Sequence, residues 1–187
     1  MLDKSGHILF VGDSVHSHTA FSLMCTLRDD FERQKVAFTK LFPYMKKVGR
    51  YFERVSRKYF CVRTIRKRAI CYDRTNTAST ILKNYANYKR LFAEFGTVVI
   101  NFGLHNKELR MDPIQELLEQ LSGDMLISKT TLIWRETAPQ HFNNLGGVYS
   151  SDALGKGCVD ISHYSTERSN TFNLKYNPIC QKYKVPV

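Results

Sequence analysis

The sequence predicts an α/β fold in which helices cover both faces of a parallel β-sheet. Three observations predict it. Short apolar runs alternate with helix-period segments along the chain, the pattern of βαβ units. The apolar runs end in polar, glycine-containing clusters, where open α/β sheets gather their ligands. The composition, 43% hydrophobic and 24% charged, is that of a globular domain and excludes disordered and fibrous classes. At 187 residues, one domain spanning 1–187 is expected.

Each element follows from local pattern. Residues 8–11 form a short apolar strand that runs straight into Gly12-Asp13-Ser14. Phe21, Met24, Cys25 and Leu27 mark an amphipathic helix from about His18 to Phe31. Weak alternation between Tyr59 and Tyr72 fits one or two strands among charges. The clearest helix is 79–95, with Ile81, Leu82, Tyr85, Tyr88, Leu91, Phe92 and Phe95 at three- and four-residue steps and Gly96 as its C′ residue. Residues 97–102 read as a buried strand ending at Gly103.

Asp112-Pro113-Ile114-Gln115 offers a cap, a first-turn proline and a capping-box glutamine. Leu117, Leu118 and Leu121 carry that helix to Gly123, and 130–134 is the next strand. Phe172, Tyr176, Ile179, Cys180 and Tyr183 define a last helix, which Pro178 is expected to kink or interrupt. Lys184-Val185-Pro186-Val187 reads as the opening of one more strand.

The longest apolar run covers only a few residues, against the roughly 20 needed to span a bilayer. No basic start followed by an apolar stretch marks a signal peptide. The net charge of +11 is concentrated between Lys46 and Arg68, where ten Lys and Arg face the single acid Glu53. Such a patch could attract nucleic acid, anionic lipid or an acidic glycan, or it could be a solvated helix face with a protected edge strand. No nucleic-acid-binding motif accompanies it, so no sequence-specific nucleic-acid partner is expected and the patch should lie away from Ser14. Cys25, Cys61, Cys71, Cys158 and Cys180 show no CxxC spacing, so no metal site is indicated, and the redox compartment stays open.

Gly12-Asp13-Ser14 is the sharpest chemical signal. A strand-to-helix junction sets a serine at a helix N-terminus, where free N–H groups favour developing negative charge. Gly12 permits a close turn and Asp13 can bind its backbone donors. Asp and Ser are also preferred N-caps, so the letters equally fit a helix start without chemistry. A second cluster, Asn101-Phe102-Gly103-Leu104-His105-Asn106, brings a glycine, a histidine and an amide just past a buried strand. These are donors of the kind an oxyanion hole needs, or simply a strand-to-loop turn.

Together with Trp134-Arg135-Glu136-Thr137-Ala138-Pro139-Gln140-His141-Phe142 and Gly146-Gly147, these blocks resemble the SGNH/GDSL hydrolase superfamily. They are most similar to its PC-esterase branch, which includes the trichome-birefringence-like polysaccharide O-acetyltransferases. The resemblance implies a three-layer α/β/α sandwich with flavodoxin-like topology, and a serine nucleophile at Ser14 whose own N–H is part of the oxyanion hole. It implies Gly103 as the second donor, with His105 and Asn106 near the place the superfamily often fills with asparagine. Arg135 and His141 would lie near the acyl or sugar site. The implied chemistry is acetyl transfer to or from a carbohydrate hydroxyl, without cofactor or metal, in the Golgi or a secreted setting. A non-catalytic module holding an acidic glycan in the same crevice is the alternative.

A serine hydroxyl needs a general base and the base an orienting carboxylate. The superfamily takes both from a DxxH after the last strand. The chain's DxxH, Asp160-Ile161-Ser162-His163, instead precedes the final helix and the strand expected at Val185. The sequence therefore reads as a fragment that has lost its catalytic pair, with Asp160 and His163 as the alternative pair.

Overall fold

Alternation along the first strand, β1 (Ile8–Gly12), sorts its side chains to opposite sides of the sheet. The computed structural model describes residues 4–27, 59–63, 68–102, 111–137 and 167–187. In these, β1 is followed by α1 (Ser14–Thr26), β2 (Tyr59–Arg63), β3 (Ala69–Arg74), α2 (Ala78–Leu82) and α3 (Tyr85–Phe92). Then come β4 (Thr97–Asn101), α4 (Asp112–Ser128), β5 (Thr131–Trp134) and α5 (Glu167–Lys182).

The five strands form one mostly parallel sheet in the order β2-β3-β1-β4-β5. β1 pairs in parallel with β3 and β4, and β4 with β5; only the edge strand β2 is antiparallel, against β3. Leu9 and Val11 join a large core with residues of α2 to α5, such as Ile81, Tyr88, Leu118 and Tyr176. Phe10 packs on the other face with Tyr72, Ala20 and Met24, the last two from α1. Burial on both faces explains why the strands read as apolar runs rather than clean alternations. Trp134 anchors the larger core, with edge-on contacts to Phe102 at 6.1 Å and Tyr176 at 5.3 Å between ring centroids. Such pairs add about 1 kcal/mol each beyond the area they bury.

Several boundaries differ from expectation for local reasons. α1 begins at Ser14, four residues before His18, because Asp13 Oδ1 accepts the His16 N–H at 3.0 Å and starts the helix at the strand's end. The expected single helix 79–95 is two helices. Asn84 Nδ2 takes the Thr80 carbonyl, and Asn84 N–H turns to Ile81 O instead, which breaks the ladder. Gly96 is not a left-handed cap. Its N–H goes to His7 O, and a Cβ there would meet Lys4 O at 2.5 Å.

α4 runs through Gly123 to Ser128, since Leu121 and Met125 keep its buried stripe going, and it ends at the left-handed Lys129. Its N-cap is Met111 with no side-chain bond, so the capping box does not form. α5 continues across Pro178, which is exposed along with Leu174, the residue whose carbonyl loses its partner. Residues 184–187 form no strand, although Trp134 N–H donates to Pro186 O at 2.8 Å.

Cys61 and Cys71 stand directly opposite on β2 and β3 and form a disulfide. Cys180 is a buried free thiol. No described helix is long and apolar enough to cross a membrane.

Candidate functional site

The carboxyl end of the central strand carries the site. Gly12 pairs with Arg74 on β3 and with Asn101 on β4, so three strand ends lie side by side. A Cβ on Gly12 would stand 2.3 Å from Asn101 O and 2.9 Å from His16 Cβ, which only glycine avoids. Ser14 follows two residues later as the first residue of α1. The first four N–H groups of a helix have no intrahelical acceptor. Here Asp13 Oδ1 takes that of His16, and the Ser17 N–H makes the first intrahelical bond, to Asp13 O at 3.1 Å. Ser14 and Val15, the first two residues of α1, present N–H groups that have no intrahelical acceptor at the positive end of the helix dipole.

β3 braces this turn. Thr75 N–H donates to Gly12 O at 3.0 Å, and the Tyr72 hydroxyl lies 2.6 Å from Asp13 O and 3.1 Å from Gly12 O. Burial pushes the Tyr72 phenol well above its usual range, with the Arg74 charge opposing, so it remains a donor. The brace is itself fixed. Buried Asp73 accepts from Thr75 Oγ1 at 2.9 Å and from the Tyr88 hydroxyl at 3.2 Å.

From the other side, β5 delivers Arg135. Its N–H extends the ladder to Ile100 O, and Asn101 Nδ2 holds its carbonyl at 2.7 Å. Asn173 of α5 clamps Thr137 through both amide atoms. The half-buried Arg135 guanidinium reaches His16, with Nη1 3.5 Å from Nδ1. His16 Nε2 lies 3.1 Å from Val99 O, which can only accept, so Nε2 carries the proton and Nδ1 is left to accept from Arg135. Burial pushes the His16 imidazole down to about 4; the Val99 bond opposes this and the Arg135 charge adds to it. Burial lowers the Arg135 pKa and the Asp13 carboxylate raises it.

The chemistry available is anion stabilisation: a helix N-terminus with its dipole and a guanidinium at the carboxyl end of the sheet. His16, with both ring nitrogens engaged, is not a base for Ser14. Among the described residues, no group of three His, Cys, Asp or Glu is arranged to hold a metal ion.

Of the sequence-derived candidates, Ser14 and Arg135 are brought to the same end of the sheet, just past β1 and β5, with β4 between those two strands. Gly103, His105, Asn106, His141, Asp160 and His163 lie outside the described residues. β4, which leads to Gly103, adjoins β1 rather than standing at the far edge. Of the basic stretch between Lys46 and Arg68, Arg68 packs over Gly6 at the amino ends of β3 and β1, opposite Ser14. Tyr59, at the start of antiparallel β2, is level with Asp73 at the carboxyl end. Most of the patch lies outside the described residues.

Sequence reading missed His16, Tyr72 and Asn101. His16 had a usable signal, three residues after a capping Asp, whereas Tyr72 and Asn101 act across strand pairings that the sequence does not state. The chain matches no protein-family model and no curated protein.

Proposed function

We propose that this chain is a serine-dependent carbohydrate O-acyl, chiefly acetyl, esterase or O-acetyltransferase-like domain, built as an SGNH-type three-layer α/β/α sandwich. The observation that carries the reading is the junction itself. Asp13 caps α1 at the end of the central strand, so Ser14 opens the helix at its positive end, where the first-turn N–H groups have no intrahelical acceptor.

In this reading the Ser14 hydroxyl attacks the acyl carbonyl and its proton passes to a base. The oxyanion accepts from the Ser14 N–H, and collapse expels the sugar alcohol to leave an acyl-serine. Water or a second sugar hydroxyl then takes the acyl group. Arg135 would bind a carbonyl or hydroxyl oxygen of the substrate. Asp160 and His163 are the chain's own candidates for the base pair. The Cys61–Cys71 disulfide supports residence in the Golgi or outside the cell, where such bonds persist.

The test is acetylation of the full chain by p-nitrophenyl acetate, followed by peptide mass spectrometry. Acetyl on Ser14 in the wild type, and none there in Ser14→Ala, is the expected result. His163→Ala decides the base: a loss equal to that of Ser14→Ala assigns Asp160 and His163 as the pair. No acetyl at Ser14 sinks the esterase reading, and binding of an acidic oligosaccharide would then favour the glycan-holding module.

A further inference from the structure

We infer that Tyr72 is a positioning residue for the oxyanion hole, acting through the peptide group that joins Asp13 to Ser14. The inference rests on the serine-acyl reading above and adds a residue to it from across the sheet. The Asp13 carbonyl, to which the Tyr72 hydroxyl donates at 2.6 Å, and the Ser14 N–H are the two ends of one planar amide. A donor on the carbonyl draws electron density from the nitrogen, so the N–H at the other end becomes a stronger donor, as in any chain of hydrogen bonds. It also fixes the plane of that amide and hence the direction of the N–H.

Three features make the contact purposeful. The phenol is buried, 2% exposed, so water does not compete for it. Tyr72 pairs with Phe10 across β3 and β1 and packs on the α1 face, which aims its hydroxyl at the turn rather than away from it. Ser17, one turn into α1, hydrogen-bonds the phenol oxygen as a donor, which directs the phenol's own proton to the carbonyl. The Asp13 carbonyl therefore accepts both Tyr72 and the Ser17 N–H, and the Gly12 carbonyl is held by Thr75. Both carbonyls ahead of Ser14 are pinned, and the peptide that presents the oxyanion donor has no freedom to turn.

The test is Tyr72→Phe, which keeps the ring and removes only the hydroxyl. Tyr85→Phe is the control, because it deletes a phenol hydroxyl that donates to Asp124 of α4 and takes no part in the brace on the Asp13–Ser14 turn. Removing an oxyanion donor outright costs about 100- to 1000-fold in kcat. Losing the support behind one should cost less, about tenfold in the saturating rate of Ser14 acetylation, with the half-saturating ester concentration unchanged. The Ser14 amide proton should move upfield in Tyr72→Phe and stay in place in Tyr85→Phe. Thermal melts of both variants establish that they are folded.

A Tyr72→Phe protein acetylated at the wild-type rate, with its Ser14 amide unmoved, overturns the inference while the serine reading stands. Equal slowing in both variants also overturns it, since the loss would then track packing. Wild type that takes no acetyl at Ser14 overturns the serine reading first, and this inference with it.

Discussion

His16 and Arg135, 119 positions apart in the chain, meet across the carboxyl end of the sheet with Nη1 3.5 Å from Nδ1. The neutral imidazole uses its proton on Val99 O and its lone pair on the guanidinium. A protonated imidazole could not do this, because it would set a second cation against Arg135 in a buried place. Helix α1 and strand β5 are thus held together by the tautomer of one histidine.

Stability is expected to fall in acid because of His16. Its imidazole pKa is about 4 in the folded chain against 6.5 as the ordinary value. Between those values the unfolded chain binds a proton that the folded chain does not, so stability rises with pH through the window. The contribution is complete above pH 6.5 and is lost as pH falls toward 4, about 3 kcal/mol in all. Urea unfolding of wild type and His16→Gln from pH 7.5 to 4 checks it. The variant should lack the histidine part of the slope, and parallel curves would refute the assignment.

Gly12→Ala is expected to destabilise the fold by about 3 kcal/mol or more, the upper range for overpacking. The added methyl would lie 2.3 Å from Asn101 O, a backbone atom fixed by the β1–β4 ladder. Relief requires opening that pairing next to Ser14, so acetylation of Ser14 should fall as well. A variant with unchanged urea midpoint would show that the two strand ends are further apart than described.

The mostly parallel sheet was legible because buried strands and their exit glycines are local features. Residues 8–12 show both in a few letters, and so do residues 97–101 with Gly103 just beyond them in the sequence. The broken helix was not, since an apolar stripe runs unbroken from Ile81 to Phe95 while the Asn84 amide ends the ladder beneath it. Gly123 misled in the opposite direction. A glycine inside a helix costs only about 1 kcal/mol, and burial of Leu121 and Met125 outweighs that. At the site, Ser14 and Arg135 stand in recognisable strings, but the order of strands that brings them to one end does not. Tyr72 and Asn101 were illegible for the same reason, being functional only through their neighbours on other strands.

Lys4→Met is expected to cost about 2 kcal/mol, the scale of charged hydrogen bonds at helix ends. Lys4 Nζ donates to Ala93 O at 2.8 Å, to Ser128 O, and to Thr130 Oγ1 at 3.2 Å. One ammonium thereby serves the C-terminal ends of both α3 and α4, where the helix dipoles favour a cation. Methionine keeps the apolar stem, so the change isolates the charge. Urea unfolding measures it, and a loss below about 0.5 kcal/mol would mean the ammonium is better solvated than bonded.

Reduction of the Cys61–Cys71 disulfide is expected to release the sheet edge before the rest unfolds. β2 is an edge strand of five residues, bonded on one side only, and antiparallel in a sheet otherwise parallel. The disulfide joins directly paired residues ten positions apart, and closing a loop of that size removes about 3 kcal/mol of unfolded-chain entropy. In the folded state it also holds Val62 against the α1 face, where it packs near Ile70 and Tyr72. The serial consequence is that reduction should loosen β2 first and β3 next, and β3 carries Tyr72 and the brace on Gly12. Hydrogen exchange with and without a phosphine reductant reads this directly. Amides of β2 should exchange much faster on reduction, those of β3 moderately faster, and those of β4 and β5 scarcely at all. A Cys61→Ser/Cys71→Ser variant should reproduce the reduced pattern and unfold at lower urea. Uniform acceleration across all five strands would instead mean that the disulfide stabilises the sheet as a whole and not its edge.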